Sequence, residues 1–187
     1  MRAYAMVFGG DRHWQAWAEL GHSVRTGETG YQHRFGSSFY ADLAGDAELA
    51  GLFDQAMAGS IARTCAPVVE AYDFSRFASI VDVGGGDGTL LEAILLSNPS
   101  LQGVLFEREP VAERARERIA DAGLSERCEV AAGDFFRSLP SGADAYLLAR
   151  CLRAFDDAAS IQVLTVAPGH GRGRPPAAGG ASHPPGG

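Results

Sequence analysis

Thirteen residues restrict this chain more than any others: Ser79-Ile80-Val81-Asp82-Val83-Gly84-Gly85-Gly86-Asp87-Gly88-Thr89-Leu90-Leu91. A short run of β-branched apolar residues enters a cluster of glycines and leaves as a helical pattern. Glycine lacks a Cβ, so the backbone there turns tightly and lets a ligand approach it closely. The helix that follows presents free N–H groups and the positive end of its dipole. With Glu107 about 20 residues further on, this is the layout of a nucleotide-type cofactor site. The plain alternative is a tight strand-to-helix turn with no ligand.

The spacing of the glycines narrows the choice. A dinucleotide fold asks for G-x-G-x-x-G, the third glycine packing helix on strand. Here Gly84 and Gly86 are followed by Gly88, and Thr89 stands at the dinucleotide third-glycine position. G-x-G-x-G with an acid just before it, Asp82, is the form associated with S-adenosylmethionine (SAM) sites.

Downstream of Ser79 the chain alternates between strand and helix. The pattern predicts strands at Ile80–Val83, Gly103–Phe106, Cys128–Ala131 and Ala145–Leu148. Helices are expected over Thr89–Leu96, Val111–Ala122 and from Asp156 or Asp157 to about Leu164. Such alternation means a parallel sheet covered by helices with right-handed crossovers. The ligand then belongs at the carboxyl ends of the strands. Upstream, Asp11 is expected to cap a helix to about Val24 with Trp14, Trp17, Leu20 and Val24 on one side. Leu49, Leu52, Phe53, Ala56 and Met57 form an apolar helical stripe, and a third helix is expected from Ser60 to Tyr72. The division is 1–75 helical, 76–165 a Rossmann-like domain, and 166–187 a tail. More than half of Pro168–Gly187 is Gly plus Pro, so disorder is expected there.

Composition excludes several classes. A net charge of -7 argues against nucleic acid as a partner. No apolar run is long enough to span a membrane, and the N-terminus is too weakly apolar for a signal peptide. The 3 cysteines, Cys65, Cys128 and Cys151, are odd in number and far apart, which fits reduced thiols and a cytoplasmic location. His13, His22 and His33 have no metal-ligand spacing, so no metal is expected.

From Arg2 to about Leu164 the chain resembles the SAM-dependent small-molecule O-methyltransferases of plants and actinobacteria that tailor natural products. The likeness rests on His13-Trp14-Gln15-Ala16-Trp17, Ser23 to Glu28 and Phe53-Asp54-Gln55-Ala56-Met57. Val81 to Gly88, Gly133-Asp134-Phe135-Phe136, and Tyr146 to Asp157 complete it, in that order. The resemblance implies a class I methyltransferase sheet and SAM as cofactor. Gly84 and Gly86 would approach its methionine and ribose parts, and Glu107 would accept from the ribose hydroxyls. Arg108 would lie beside the adenine, Asp134 would bond its amino group, and Phe135 would pack on its ring. Phe53 and Met57 match positions that line the pocket of an aromatic acceptor; the other reading of both is helix packing.

The departures carry expectations too. Relatives hold a histidine base where this chain has Arg153, and a lysine that often precedes it is Ala149. Arginine stays protonated and cannot take a proton. Relatives begin with a dimerisation region of which only the last helices are expected here, and their sheet has further strands where the Pro/Gly tail stands. The expectation is a chain truncated at both ends, its tail of the composition that out-of-frame translation of GC-rich DNA gives. Its strand at Ala145–Leu148 would be an open edge. The alternatives to a methyltransferase are a non-catalytic fragment that pairs with an intact relative, and a nicotinamide-dependent oxidoreductase. Thr89 and Asp134-Phe135-Phe136 disfavour the oxidoreductase. The partners implied are a small aromatic substrate and a second copy in a homodimer.

Overall fold

The computed structural model describes residues 2–167; Met1 and residues 168–187 of the expected tail lie outside the described residues. The N-terminal part is helical. The helices are α1 (Arg2–Phe8), α2 (Asp11–Ala18), α3 (Leu20–Thr26), α4 (Gly30–Phe35), α5 (Phe39–Gly45) and the long α6 (Ala47–Ala71). Their starts follow capping chemistry. Thr29, Ser38 and Asp46 each accept a backbone N–H of the first turn, from Gln32, Ala41 and Leu49.

Two helix expectations need correction. The span Asp11–Val24 is not one helix, and Asp11 is not its cap. Gly10 occupies that position, and Glu19 interrupts the run between α2 and α3. The start of α4 is pressed into this break: a Cβ on Gly30 would come within 2.6 Å of the Ala16 carbonyl oxygen. The expected apolar side faces outward, with Trp14, Trp17, Leu20 and Val24 all exposed. Conversely, the two helices expected around Leu49–Met57 and Ser60–Tyr72 are one, α6, running through Pro67. Ala56 and Cys65 are buried along it, and Ile61, Val68 and Val69 pack on the main core. Continuous burial of one face overrides the local glycine and proline signals.

The remainder alternates: β1 (Ser79–Val83), α7 (Thr89–Ser97), β2 (Gln102–Glu107), α8 (Glu109–Asp121), β3 (Cys128–Ala132), β4 (Ala145–Leu147) and α9 (Asp157–Val166). The strands form a parallel sheet in the order β3-β2-β1-β4, with Val81 opposite Val104 and Tyr146. The expected strands are present, β4 one residue shorter than expected. Among the described residues β4 pairs on one side only, so it is a sheet edge. The order reverses between β1 and β4, which makes the exit of β1 the switch point where α/β sheets bind ligands.

The two sheet faces are unequally covered. Ile80, Leu105 and Cys128 point into the larger core, built with Leu91, Ile94 and Leu95 of α7 and Ile119 of α8. On the opposite face Val81, Val83 and Phe106 form a smaller cluster, with Phe135, Leu139 and Tyr146 packed against it. Both faces of β1 are therefore apolar, as expected of a central parallel strand. Asp82 is the exception within it.

Candidate cofactor and acceptor site

A cavity of about 620 Å³ opens above the carboxyl ends of the strands, between the sheet and α6. The glycine turn forms one wall. Gly84 and Gly86 have φ of 67° and 62°, the left-handed region that other residues avoid. Gly84 N–H donates to the Phe106 carbonyl at 2.8 Å, which ties the turn to β2. Asp87 closes it onto α7. Its Oδ1 accepts from the Thr89 N–H and hydroxyl, and its Oδ2 meets Arg118 at 3.3 Å.

Glu107 ends β2 and is almost fully buried. Its Oε2 accepts from Gly86 N–H at 3.3 Å and its Oε1 from Arg108 N–H at 2.8 Å. Burial raises its pKa, and these two N–H bonds and the Arg108 charge oppose the rise. The carboxylate is thus fixed at the cavity wall with lone pairs to spare. Asp134 follows β3 and accepts from Phe136 N–H at 2.9 Å, a local turn that holds Phe135 and Phe136 beside it. Phe155 meets Phe135 and Phe136 edge against ring at centroid separations of 5.9 and 5.0 Å, and Phe135 and Phe136 are tilted against each other at 5.0 Å.

The structure brings Gly84, Gly86, Glu107, Arg108, Asp134, Phe135, Phe53 and Met57 to this one cavity. Phe53 also joins an aromatic cluster with Phe8, Phe39 and Tyr40, so the packing and lining readings hold together. Arg153 is different. It is exposed on a short turn, Leu152–Ala154, and is not among the lining residues. Its charge does reach the Tyr40 hydroxyl, whose pKa burial nonetheless raises. From that turn and the residues before it, Arg150, Cys151 and Ala154 line the cavity. Arg150 has φ of 60° and donates from Nη1 to Ser60 Oγ at 2.8 Å, pinning the exit of β4 to α6.

Sequence reasoning missed Tyr40, Phe155 and Arg150 as lining residues, and marked Asp82, which also lines the cavity, only as the acid before the glycine turn. Phe155 and Arg150 lie in a stretch that carries the family likeness, whereas nothing near Tyr40 in the sequence marks it.

A turn this tightly packed has a testable weak point. A Cβ on Gly133 would sit 2.3 Å from Phe106 Cζ, inside the smaller core. Gly133→Ala is therefore expected to displace Phe106 and Asp134 together, lowering stability by about 1–3 kcal/mol. Urea unfolding of the variant checks it.

A parallel sheet in this order, with a glycine turn after β1 and acids after β2 and β3, defines a class I methyltransferase fold. Residues 17–168 match the O-methyltransferase domain family, and the chain belongs to that family. The mitomycin biosynthesis 6-O-methyltransferase of Streptomyces lavendulae is 47% identical over 153 residues, 81% of this chain and 44% of that protein. The aclacinomycin 10-hydroxylase of Streptomyces purpurascens is 44% identical over 141 residues, covering 75% of this chain and 38% of its own. A solved O-methyltransferase of neocarzinostatin biosynthesis, in complex with SAM and 2-hydroxy-5-methyl naphthoic acid, superposes with a TM-score of 0.80. It is 36% identical, covering 87% of this chain and 50% of that one. The chain spans about half the length of the curated relatives it matches.

Proposed function

We propose that this chain is the cofactor-binding part of a SAM-dependent O-methyltransferase whose acceptor is a hydroxyl on a small aromatic molecule of the natural-product kind. The observation that carries this reading is the convergence on one cavity of the Gly84–Gly86 turn, Glu107 and Asp134, each from the carboxyl end of a different strand. The residues fit the cofactor. Asp82, Glu107 and Asp134 make the sheet end of the cavity acidic, which suits a ligand bearing positive charge. Aromatic and apolar side chains, Phe53, Met57, Phe136 and Phe155, line the rest.

In this reading the backbone at Gly84 and Gly86 holds the amino-acid part of SAM. Glu107 accepts from the ribose hydroxyls, and Asp134 accepts from the adenine amino group. Phe135 stacks on the adenine ring, with Arg108 beside it. Bound there, SAM supplies an electrophilic methyl on a sulfonium. The aromatic acceptor lies against Phe53 and Met57, and these walls work by excluding water and fixing orientation. Deprotonation is the missing part. No histidine lines the cavity among the described residues, and Arg153 stays protonated.

The expected result follows from that gap. With no histidine in the lining, methyl transfer by this chain is expected to draw on phenolate formed in solvent, its rate rising about tenfold per pH unit up to a phenol pKa of about 10. Glu107→Gln is expected to weaken SAM binding about 10- to 100-fold, the worth of hydrogen bonds to a charged group. Calorimetry with SAM, with NAD as the control, and a methyl-transfer series against pH test both statements. Binding of NAD in preference to SAM would end the reading.

A second reading keeps the cofactor site without turnover, the chain acting as a fragment that pairs with an intact relative. The position of β4 at the sheet edge among the described residues favours it. Methyl transfer that appears only when a full-length relative is added distinguishes it.

A further inference from the structure

The charged groups of the cavity are divided between its two sides. Asp82, Glu107 and Asp134 stand at the strand ends, and Arg150 reaches across to α6. Its Nη1 donates to Ser60 Oγ at 2.8 Å. Phe53, Met57 and Ser60 are spaced i, i+4 and i+7 along α6, so they share one face of the helix. The guanidinium is therefore held about one turn beyond Met57, at the end of the apolar stripe. Ser60 is its one hydrogen-bond partner among the described residues, and Ser60 carries no charge. Asp54, the acid of α6 that lines the cavity, is engaged by Arg114 of α8. The other lining arginine, Arg108, follows Glu107 directly and already opposes its charge. With Nη1 on Ser60, the Nε–Nη2 edge of Arg150 is left open, two parallel donors that match a carboxylate. The φ of 60° at Arg150 is of the kind found at ligand clamps, kept where the surroundings fix it.

We propose that Arg150 is the specificity-determining residue of the acceptor side and that it selects aromatic hydroxy acids, its Nε and Nη2 donating to a ring carboxylate. The inference rests on the reading of Phe53 and Met57 as the acceptor wall and names the acceptor class that fits it. The carboxylate anchors one edge of the ring near Ser60, and the ring lies against Met57 and Phe53. Its hydroxyl then turns toward the strand ends, where the cofactor belongs. Ser60 is a positioning residue that aims the guanidinium along the stripe. The division of charge suits both ligands, acids facing a cationic cofactor and the arginine facing an anionic acceptor.

The test is calorimetry of the full chain with meta-hydroxybenzoate and meta-hydroxybenzamide, which differ in charge and little in shape. Both are titrated with and without S-adenosylhomocysteine. The benzoate is expected to bind about tenfold more tightly than the amide at low salt, the worth of a charged pair at a partly open site. That preference should shrink at about 1 M salt, where screening acts within about 3 Å. Arg150→Asn removes the charge with a residue that tolerates positive φ, and it is expected to abolish the preference. Arg150→Lys keeps the charge without the fork and should retain part of it. Ser60→Ala should weaken the benzoate more than the amide. Equal affinity for the two probes, binding of neither, or a preference that survives in Arg150→Asn overturns the assignment of Arg150. Failure of S-adenosylhomocysteine to bind overturns the cofactor reading instead, and the probe pair still reads the arginine in the cofactor-free chain. Equal affinity in the unmodified chain is decisive whether or not the variants fold.

Discussion

The ligand-free protein is expected to lose stability as the pH rises from about 4 to about 7, and Asp82→Asn to remove most of that loss. The sign follows from linkage. The Asp82 pKa is about 7 in the folded chain, against the ordinary value of 3.8. Between those values the folded state holds a proton that the unfolded chain has already given up. Stability therefore falls with rising pH through this window and levels off above it. A displacement of about 3 pH units corresponds to about 4 kcal/mol by pH 8, a large share of the 5–15 kcal/mol typical of whole domains. His13 contributes with the opposite sign, since burial lowers its pKa. Glu107 and Asp54 act in the same direction as Asp82, because burial raises both. The quantity to measure is thus the difference between wild type and Asp82→Asn in urea midpoint across pH. The variant should be the more stable at pH 8. At pH 4 the advantage should disappear, since an amide then replaces a carboxyl already neutral. A difference that does not vary with pH would show that Asp82 is ionised throughout.

This instability is located where the ligand goes. An acid inside a central parallel strand breaks the rule that both faces of such a strand are apolar. Every other inward residue of β1 obeys it: Ile80, Val81 and Val83 are all buried. A chain selected only to fold would carry an apolar residue at 82, so the exception marks function. The same trade is visible at Arg150, a non-glycine residue held at positive φ on the cavity wall.

How much of this was legible in the sequence depended on how local the cause was. The strand–turn–helix at Ser79–Leu91 was readable because apolar periodicity and glycine chemistry act within a few residues. Glu107 and Asp134 were readable by the same logic, as each ends a strand that the alternating pattern marks. The helical part was read less well, for two opposite reasons. The break at Glu19 depends on α4 packing at Gly30, a contact between segments that local periodicity does not record. The continuity of α6 through Pro67 depends on burial against α1, α5 and α7, which outweighs the breaker signals at Gly59 and Pro67. Three short helices, α1, α4 and α5, went unread because each is 6 or 7 residues long, too short to show a period. At the site, the lining by Tyr40 follows from the position of α5 over the cavity and has no signature in its own neighbourhood.

Leu91→Ala is expected to unfold a large fraction of the chain in mild denaturant. Leu91 is fully buried on α7 and faces the sheet where β2 has Gly103. A Cβ at Gly103 would lie 3.2 and 3.3 Å from its two terminal methyls, so the leucine fills the space that this glycine leaves open. Truncation removes the methyls from the centre of the larger core, where rigid strands on one side prevent collapse. Buried Leu→Ala changes of this kind cost about 3–5 kcal/mol. With an m-value of about 2 kcal/mol/M, the urea midpoint should fall by about 1.5–2.5 M. Leu96→Ala on the same helix is the contrast, because Leu96 is 55% exposed. It should change stability by no more than about 0.5 kcal/mol. The pair Leu91→Ala and Gly103→Ala tests the geometry itself. Gly103→Ala alone crowds Leu91 and Leu95 and should destabilise, whereas in the Leu91→Ala background its methyl enters the vacated space. The two changes should therefore be less than additive by about 1 kcal/mol or more. Strict additivity would mean that Leu91 does not rest on Gly103 and that α7 meets the sheet elsewhere.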